Sequence, residues 1–391
     1  QRQMCIRDRL QAVSSGQGSL QNLVLQLSQI LNCSLSRQGL HYRFKPEALL
    51  FLQEVSDSLY QLQAGSNKGS CFKRVLLQDS TQLRLPPKSS KHYKGIGNKW
   101  GPKGSAKIDM IKDAISGDLV HLSLDHGTKQ DRVLARDLYE HLQAGDLVLR
   151  DMGYFISQGL QIIDQKKASF VSRVPSNTSI NILHGPSIEQ YLKHLPESQM
   201  EVDIEVEVSD SNPTRARLVA LRCTEEVVNC RRAKMKLHRK RMGNTANKMS
   251  LEREGWTIYV TNLPTEQYCP SGIHHLYAQR WGIEIQFRAL KGQTHLRELL
   301  DRVTKNKVHL SILLTAVMIF SQLTAKIHAH LKSKSKCRQG ALLSIEKISS
   351  WFTSIIMRTT TLTEELLYDI RHLQYDKRRA KPQSIKAVSL F

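Results

Sequence analysis

Five residues between positions 277 and 291 are spaced for work on a polyanion. Tyr277, Arg280, Glu284, Arg288 and Lys291 follow one another at intervals of 3, 4, 4 and 3. At about 3.6 residues per turn such a run lies along one face of a helix, so the spacing predicts one helix over about 271–291. Leu276, Ile283, Phe287 and Leu290 fall on another face, which can pack on a sheet. The polar stripe holds one acid, three cations and a phenol. A solvated face with i,i+4 ion pairs would carry the same charges. The phenol, and Trp281 beside the stripe, favour a phosphodiester, with cations holding phosphates and the acid holding a metal ion.

Two aspartates suit the same chemistry. RVLLQDST predicts a short buried strand that stops at Asp79, and GDLVLRD one that ends at Asp151. Carboxylates at the carboxyl ends of neighbouring parallel strands meet at the sheet edge, where ligands bind in α/β folds. There they can share Mg²⁺, which takes a few hard oxygen ligands plus water and substrate phosphate. Either aspartate alone is equally a helix cap or a turn residue.

The elements that must position these groups form an α/β chain. Helical periodicity at 18–62 predicts a small N-terminal helical domain. Strand-like runs at Asp79, on both sides of Gly117, at Asp151, and in ASFVSRV and WTIYVTNL alternate with helices at about 131–143 and 154–165. This alternation predicts a mixed sheet with some parallel pairing. EVDIEVEV and RARLVALRC alternate with period two, as antiparallel strands do, and predict an inserted β-rich subdomain at 175–251. The apolar run at 308–331 carries Ser, Thr, Gln, Lys and three His, so it reads as a buried helix rather than a membrane span.

Lys plus Arg number 57 against 35 Asp plus Glu in 391 residues, a formal charge of +22. That surplus points to a polyanionic partner. Seven scattered cysteines, with no CxxC or Cys/His ligand spacing, exclude a disulfide scaffold and a zinc finger and fit a reducing compartment. The basic run RRAKMKLHRKR, with Arg231, Arg232, Lys234, Lys236, Arg239, Lys240 and Arg241, is expected to track phosphates. The lysine-rich loop at 86–107 reads the same way. The opening MCIRDR back-translates to a sequencing-library adapter, so residues 1–9 are expected to be non-native; a genomic read encoding them would refute this.

Tyr277, Arg280, Glu284 and Lys291 at these spacings, after two strand-end aspartates, resemble the YREK signature of insertion-sequence DDE transposases. The resemblance covers roughly residues 69–330. It implies an RNase H-like mixed sheet flanked by helices and interrupted by a β-rich insertion. The parts would be an N-terminal helical DNA-binding domain at 10–68, a catalytic core at 69–174 and 252–332 around the insertion at 175–251, and a C-terminal helical region at 333–391 suited to dimerisation.

The resemblance also implies roles. Asp79, Asp151 and Glu284 become the catalytic, metal-binding triad, for two Mg²⁺ ions that Mn²⁺ can replace. Tyr277, Arg280 and Lys291 would bind phosphates near a flipped base, with Arg288 a further basic contact. Trp256, 21 residues before Tyr277, would probe the hole left by that base, and Trp281 follows the signature arginine; either tryptophan is equally a core residue. Unstacking a base costs a few kcal/mol, which aromatic stacking offsets in part. The implied protein is a cut-and-paste transposase of the bacterial cytoplasm, associated with the nucleoid. It would act as a homodimer on double-stranded DNA with terminal inverted repeats and need no membrane. The alternatives are an RNase H-like nuclease that does not join ends, and a transposase-derived DNA-binding protein without activity.

Overall fold

The computed structural model describes residues 36–61, 71–97, 101–209, 213–241, 248–293, 306–334 and 344–356, with isolated positions elsewhere. The expectations for residues 1–9, most of the helical pattern at 18–35, Trp100 and positions 357–391 lie outside the described residues. In chain order the elements are α1 (Arg37–His41), α2 (Pro46–Gln61), β1 (Arg74–Leu85), β2 (Gly104–Asp113), β3 (Leu119–His126), α3 (Asp131–Leu134) and α4 (Asp137–His141). There follow β4 (Asp146–Arg150), α5 (Ser157–Gln165), β5 (Ser169–Arg173), β6 (Ile180–Ile182), α6 (Ile188–Lys193), β7 (Glu201–Val208), β8 (Thr214–Arg222), α7 (Glu225–Arg241) and α8 (Lys248–Arg253). The last are β9 (Trp256–Thr261), α9 (Pro270–Ala278), α10 (Trp281–Gln293), α11 (Lys307–Lys334) and α12 (Ile345–Ile356). The nine strands hydrogen-bond in the order β3-β2-β1-β4-β5-β9-β8-β7-β6.

The chain divides into two compact units. One comprises residues 1–68, 79–130 and 281–382, the other 69–78, 131–280 and 383–391. In the first, β2 and β3 form an antiparallel hairpin. Asp113 closes its turn by accepting from the amides of Ile115 (3.0 Å) and Ser116 (3.1 Å), and Gly117 supplies the left-handed φ of +87°. The N-terminal helices do not stand apart from this unit. Leu52 of α2 shares a core with Ile312, Ile319 and Phe320 of α11, and Phe44, Leu49, Val55 and Phe352 pack around it. Ser56 and Gln322 exchange two hydrogen bonds at 3.1 and 3.2 Å inside this core. Among the described residues α11 is the one helix long and apolar enough to cross a membrane, and 83% of its apolar window is buried in the protein. Its apolar face is a packing surface for α2 and α12.

In the second unit the first half of β1 pairs in parallel with β4, and β4 with β5. Val75, Leu76, Leu77, Leu147, Val148 and Leu149 are all buried, as unbroken apolar runs are in parallel sheets. Arg74 forks onto buried Asp146 (3.0 and 2.6 Å) and ties the start of β1 to β4. The predicted antiparallel pair is β7–β8, but 175–251 is not a separate β-rich body. β8 pairs with β9, so the segment lengthens the central sheet, and it also contributes α6, α7 and α8. Arg217 on β8 holds Asp203 bidentately at 2.7 Å and donates to the carbonyls of Leu263 and Tyr268. The helix predicted at 131–143 is two short pieces, α3 and α4.

Leu52→Ala is expected to remove about 3 kcal/mol of stability, the usual cost of emptying a well-packed leucine site. Urea denaturation measures it. A loss below about 0.5 kcal/mol would mean that α2 does not pack on α11 in solution.

Candidate active site

The geometry starts with the β1–β4 ladder. Its register places Arg74 opposite Asp146 and Gln78 opposite Arg150. One residue further along the two strands come Asp79 and Asp151. Contrary to expectation, β1 does not stop at Asp79 but runs on to Leu85. The continuation TQLRL alternates buried and exposed residues, a period-two pattern that serves a strand with one wet face. What ends near Asp79 is the parallel pairing, not the strand. Asp79 Oδ1 accepts from the amide of Ser80 at 2.8 Å. Asp151 has extended backbone (φ −73°, ψ 162°) and stands at the N-cap position of the 3₁₀ turn Met152–Tyr154 without capping it through its side chain. The cap role is therefore not what holds an acid at 151.

The signature stripe is not one helix. α9 ends at Ala278 and α10 starts at Trp281. Between them the amides of Gln279 and Arg280 bond back to Leu276 and Tyr277 at 3.1 and 3.0 Å, three residues rather than four. Such tightening advances the phase by about 120° per residue instead of 100°, so the straight face expected over 277–291 is interrupted. Glu284, Arg288 and Lys291 keep their helical relation on α10. Glu284 is half-buried in its first turn, where the helix dipole favours a carboxylate.

Tyr277 turns inward and is 8% exposed. Its hydroxyl donates to the carbonyl of Arg150 at 3.3 Å, the residue before Asp151. Its ring lies 5.1 Å from that of Tyr259, and the Arg280 guanidinium stands 5.8 Å from its ring centre. Burial raises the Tyr277 pKa well above that of a free phenol; Arg280 opposes this and the Asp151 carboxylate adds to it. Tyr259, itself buried, is pushed up to about 12, chiefly by desolvation, and pairs with His274 Nδ1 at 2.7 Å. Neither Tyr259 nor His274 stands out in the sequence. The available signal was the i,i+3 spacing of His274 and Tyr277 on one helix.

Other expected contacts divide clearly. Trp281 is 49% exposed at the head of α10, whereas Trp256 is 5% exposed and lies under the Arg222 guanidinium at 4.4 Å. Arg288 is exposed and stands 3.8 Å from Glu346 of α12, a loose surface pair. Lys291 is held below its ordinary pKa by desolvation. In the basic run, Arg231 faces inward. It donates to Cys223 Sγ, the Trp256 carbonyl and Thr257 Oγ1 at 3.0–3.1 Å. Arg232 donates to the Leu251 carbonyl and pairs with Glu252 at 3.7 Å. Arg231 thus ties α7 to the start of β9 and Arg232 ties it to α8, so both side chains have partners within the protein. Lys234, Lys236, Lys240 and Arg241 are exposed, and Arg239 is half-buried. In the lysine loop Lys88, Lys91, Lys94 and Lys103 are exposed, but Lys107 is buried and donates to the Lys129 carbonyl.

Asp79, Asp151 and Glu284 offer hard carboxylate oxygens, the donor type that Mg²⁺ takes. Among the described residues no three His, Cys, Asp or Glu side chains form a group able to hold a metal ion. Asp79 and Asp151 each directly follow the last paired residues of the β1–β4 ladder, Gln78 and Arg150.

A mixed sheet whose parallel β1–β4 pair leads into two aspartates, followed by an acid on a later helix, has the architecture of RNase H-like phosphoryl-transfer enzymes. Residues 70–320 match the family described as Transposase DDE domain, and the chain belongs to that family. It is 25% identical over 400 residues to the transposase for insertion sequence element IS231B of Bacillus thuringiensis subsp. berliner, covering 95% of this chain and 83% of that one. It is 26% identical over 300 residues to the transposase for insertion sequence element IS1151 of Clostridium perfringens, covering 70% of this chain and 62% of that one. In fold it resembles the piggyBac transposase of a synaptic complex with hairpin DNA, with a TM-score of 0.51 at 13% identity over 96% of this chain and 76% of that one.

The buried phenols predict an alkaline limit. A phenol titrating near 10.0 when unfolded and at about 12 when folded binds its proton more tightly in the native state. Its contribution is complete below pH 10 and is lost as pH rises through the folded value. Denaturation at a series of pH values should show stability falling over this window, with a shallower fall in Tyr259→Phe. An unchanged slope in the variant would assign the loss to other groups.

Proposed function

We propose that the protein is a cut-and-paste DNA transposase with Asp79, Asp151 and Glu284 as its catalytic carboxylates. The observation that carries this is the β1–β4 register, whose last paired residues, Gln78 and Arg150, directly precede Asp79 and Asp151 in a chain of the transposase DDE family. Glu284 joins them on its signature spacing. These acids would hold two Mg²⁺ ions, or Mn²⁺, which when bound activate the attacking oxygen and stabilise the leaving one. Water cuts the element's end and frees a 3′-hydroxyl. That hydroxyl attacks the opposite strand to form a hairpin, the hairpin is reopened, and the 3′-hydroxyl is joined to target DNA. Both ends must be held together, so two copies of the chain act at once. α12 packs within its own chain, with Phe352 stacked 5.3 Å from Phe320, and the C-terminal region at 333–391 is the segment proposed for dimerisation. The N-terminal segment 10–68 helps read the inverted repeats. The site of action is the cytoplasm, at bacterial DNA.

Phosphate contacts come from Arg280, Lys291, Arg288 and the outer face of α7, and Trp281, exposed at the head of α10, can meet an unstacked base. Trp256 enters such a role only if Arg222 uncovers it. Arg231 and Arg232 set the pose of α7, while Lys234, Lys236, Lys240 and Arg241 meet the polyanion.

Labelled DNA carrying the element's own inverted repeats tests the reaction. Asp79→Asn, Asp151→Asn and Glu284→Gln should each reduce cleavage to background while still shifting the DNA in a gel. Joined products support transposition, whereas nicks without joining would reduce the reading to a nuclease. Wild-type cleavage by any variant would remove that acid from the site.

Neutralising Lys234, Lys236, Lys240 and Arg241 together should flatten the slope of log K against log salt by up to about 3.6, at about 0.9 per phosphate contact. Arg231→Ala should instead lower thermal stability. An unaltered slope in the fourfold variant would take α7 out of the DNA interface.

A further inference from the structure

The connection between β1 and β2 is a cross-bonded cationic tongue that carries an uncovered isoleucine. We infer that this tongue is a further docking surface for duplex DNA, in which Ile96 acts as an apolar wedge between base pairs while the cations around it hold the flanking phosphates. The inference goes beyond the contacts of the signature and of α7. Only its distance from the cut rests on the reading of Asp79 as catalytic.

Backbone bonds hold the two arms of the tongue together. The 3₁₀ turn Pro87–Lys91 opens it, and the wholly buried Ser89 donates to the Pro86 carbonyl at 2.6 Å. The outgoing and returning arms bridge at Lys94 and Gly104. The Gly95 amide donates to the Lys103 carbonyl at 2.7 Å, and the Ser105 amide to the Tyr93 carbonyl at 2.9 Å. A Cβ at Gly104 would stand 2.3 Å from Ser89 Oγ, so a glycine is what lets the returning arm close on the turn. Tyr93 is buried, and its hydroxyl pairs with Ser311 of α11 at 3.0 Å, which ties the base of the tongue to the helical core.

The surface held out by this scaffold has one sign of charge. No acid occurs between Asp79 and Asp109, and Arg84, Lys88, Lys91, Lys94 and Lys103 are exposed. Asp125, across the ladder from Lys107, is paired with Lys129. Ile96, two residues beyond Lys94, is 72% exposed. An apolar side chain held out among cations suits duplex DNA, since isoleucine is one of the side chains that wedge base steps apart and the cations gain from counterion release. A second copy of the chain, itself at +22, would be repelled by the same charges. From Asp79 the strand runs six residues to Leu85, about 20 Å in an extended chain, which is the length of about six base pairs. The wedge therefore meets the duplex several base pairs from the phosphate that Asp79 serves.

The test uses the full-length protein in EDTA, where binding is read without cutting. The probe is a duplex carrying the element's inverted repeat and its flank, with 2-aminopurine at one step at a time; this base brightens when unstacked. Wild-type protein should brighten a step about six base pairs from the cut. Ile96→Ala should lower that signal and the DNA affinity about 5-fold each, with the slope of log K against log salt unchanged, and Ile96→Leu should restore both. Changing Lys88, Lys91, Lys94 and Lys103 together to Gln should flatten the slope by up to about 3.6. Absence of brightening away from the cut, or brightening that Ile96→Ala leaves intact, would overturn the wedge even if the lysine variant loses slope. Weakened self-association of Ile96→Ala in sedimentation, with DNA binding unchanged, would overturn it in favour of a second copy. Asp79→Asn separates the two readings. If it cleaves normally, the catalytic role of Asp79 fails while brightening that depends on Ile96 still stands; if it is inactive and brightening ignores Ile96, only the wedge fails.

Discussion

The rest of the structure depends on the parallel pairing of β1 with β4. Parallel ladders are slanted and evenly spaced, so a single pair in register determines every later rung. Arg74 and Asp146 start that ladder with a bidentate ion pair, and Gln78 with Arg150 finishes it. The next residue on each strand is an aspartate. Both strands are held up to that point by buried apolar runs. A slip of one residue would turn every side chain of β1 to the opposite face. Where each aspartate leaves its strand thus relies on hydrophobic register, set several residues before the acids appear.

Much of this was legible in the residues themselves. Unbroken apolar runs before Asp79 and Asp151 marked parallel strands, and the alternation in EVDIEVEV marked an antiparallel one. Other features were hidden for definable reasons. The break between α9 and α10 leaves no glycine or proline at positions 279 and 280, and it follows from two three-residue hydrogen bonds that periodicity cannot reveal. The extension of β1 past Asp79 was obscured because its pattern changes from buried on both faces to buried on one. The placement of β8 beside β9 is a long-range pairing, and an alternating strand carries no label for its neighbour.

The basic run at 231–241 shows why composition alone overstates a binding surface. All seven cations look alike as a string. On a helix they separate, with Arg231 turned to the start of β9, Arg232 to α8, and the four residues Lys234, Lys236, Lys240 and Arg241 facing solvent. Arginine suits the inner positions because its planar fork meets several acceptors at once, as Arg231 does with a sulfur, a carbonyl and a hydroxyl. Lysine suits the outer ones, where a mobile point charge is enough.

The partnership of α2 with α11 has a consequence for biosynthesis. Ser56 and Gln322 are 266 positions apart, so the apolar side of α2 leaves the ribosome long before its companion exists. At about 5–20 residues per second, the early helix waits many seconds with its leucines uncovered and open to chaperones or proteases. A message truncated before the codons of α11 would yield a polypeptide whose leading helix never finds its seat, so the completed chain is the first form able to close this core.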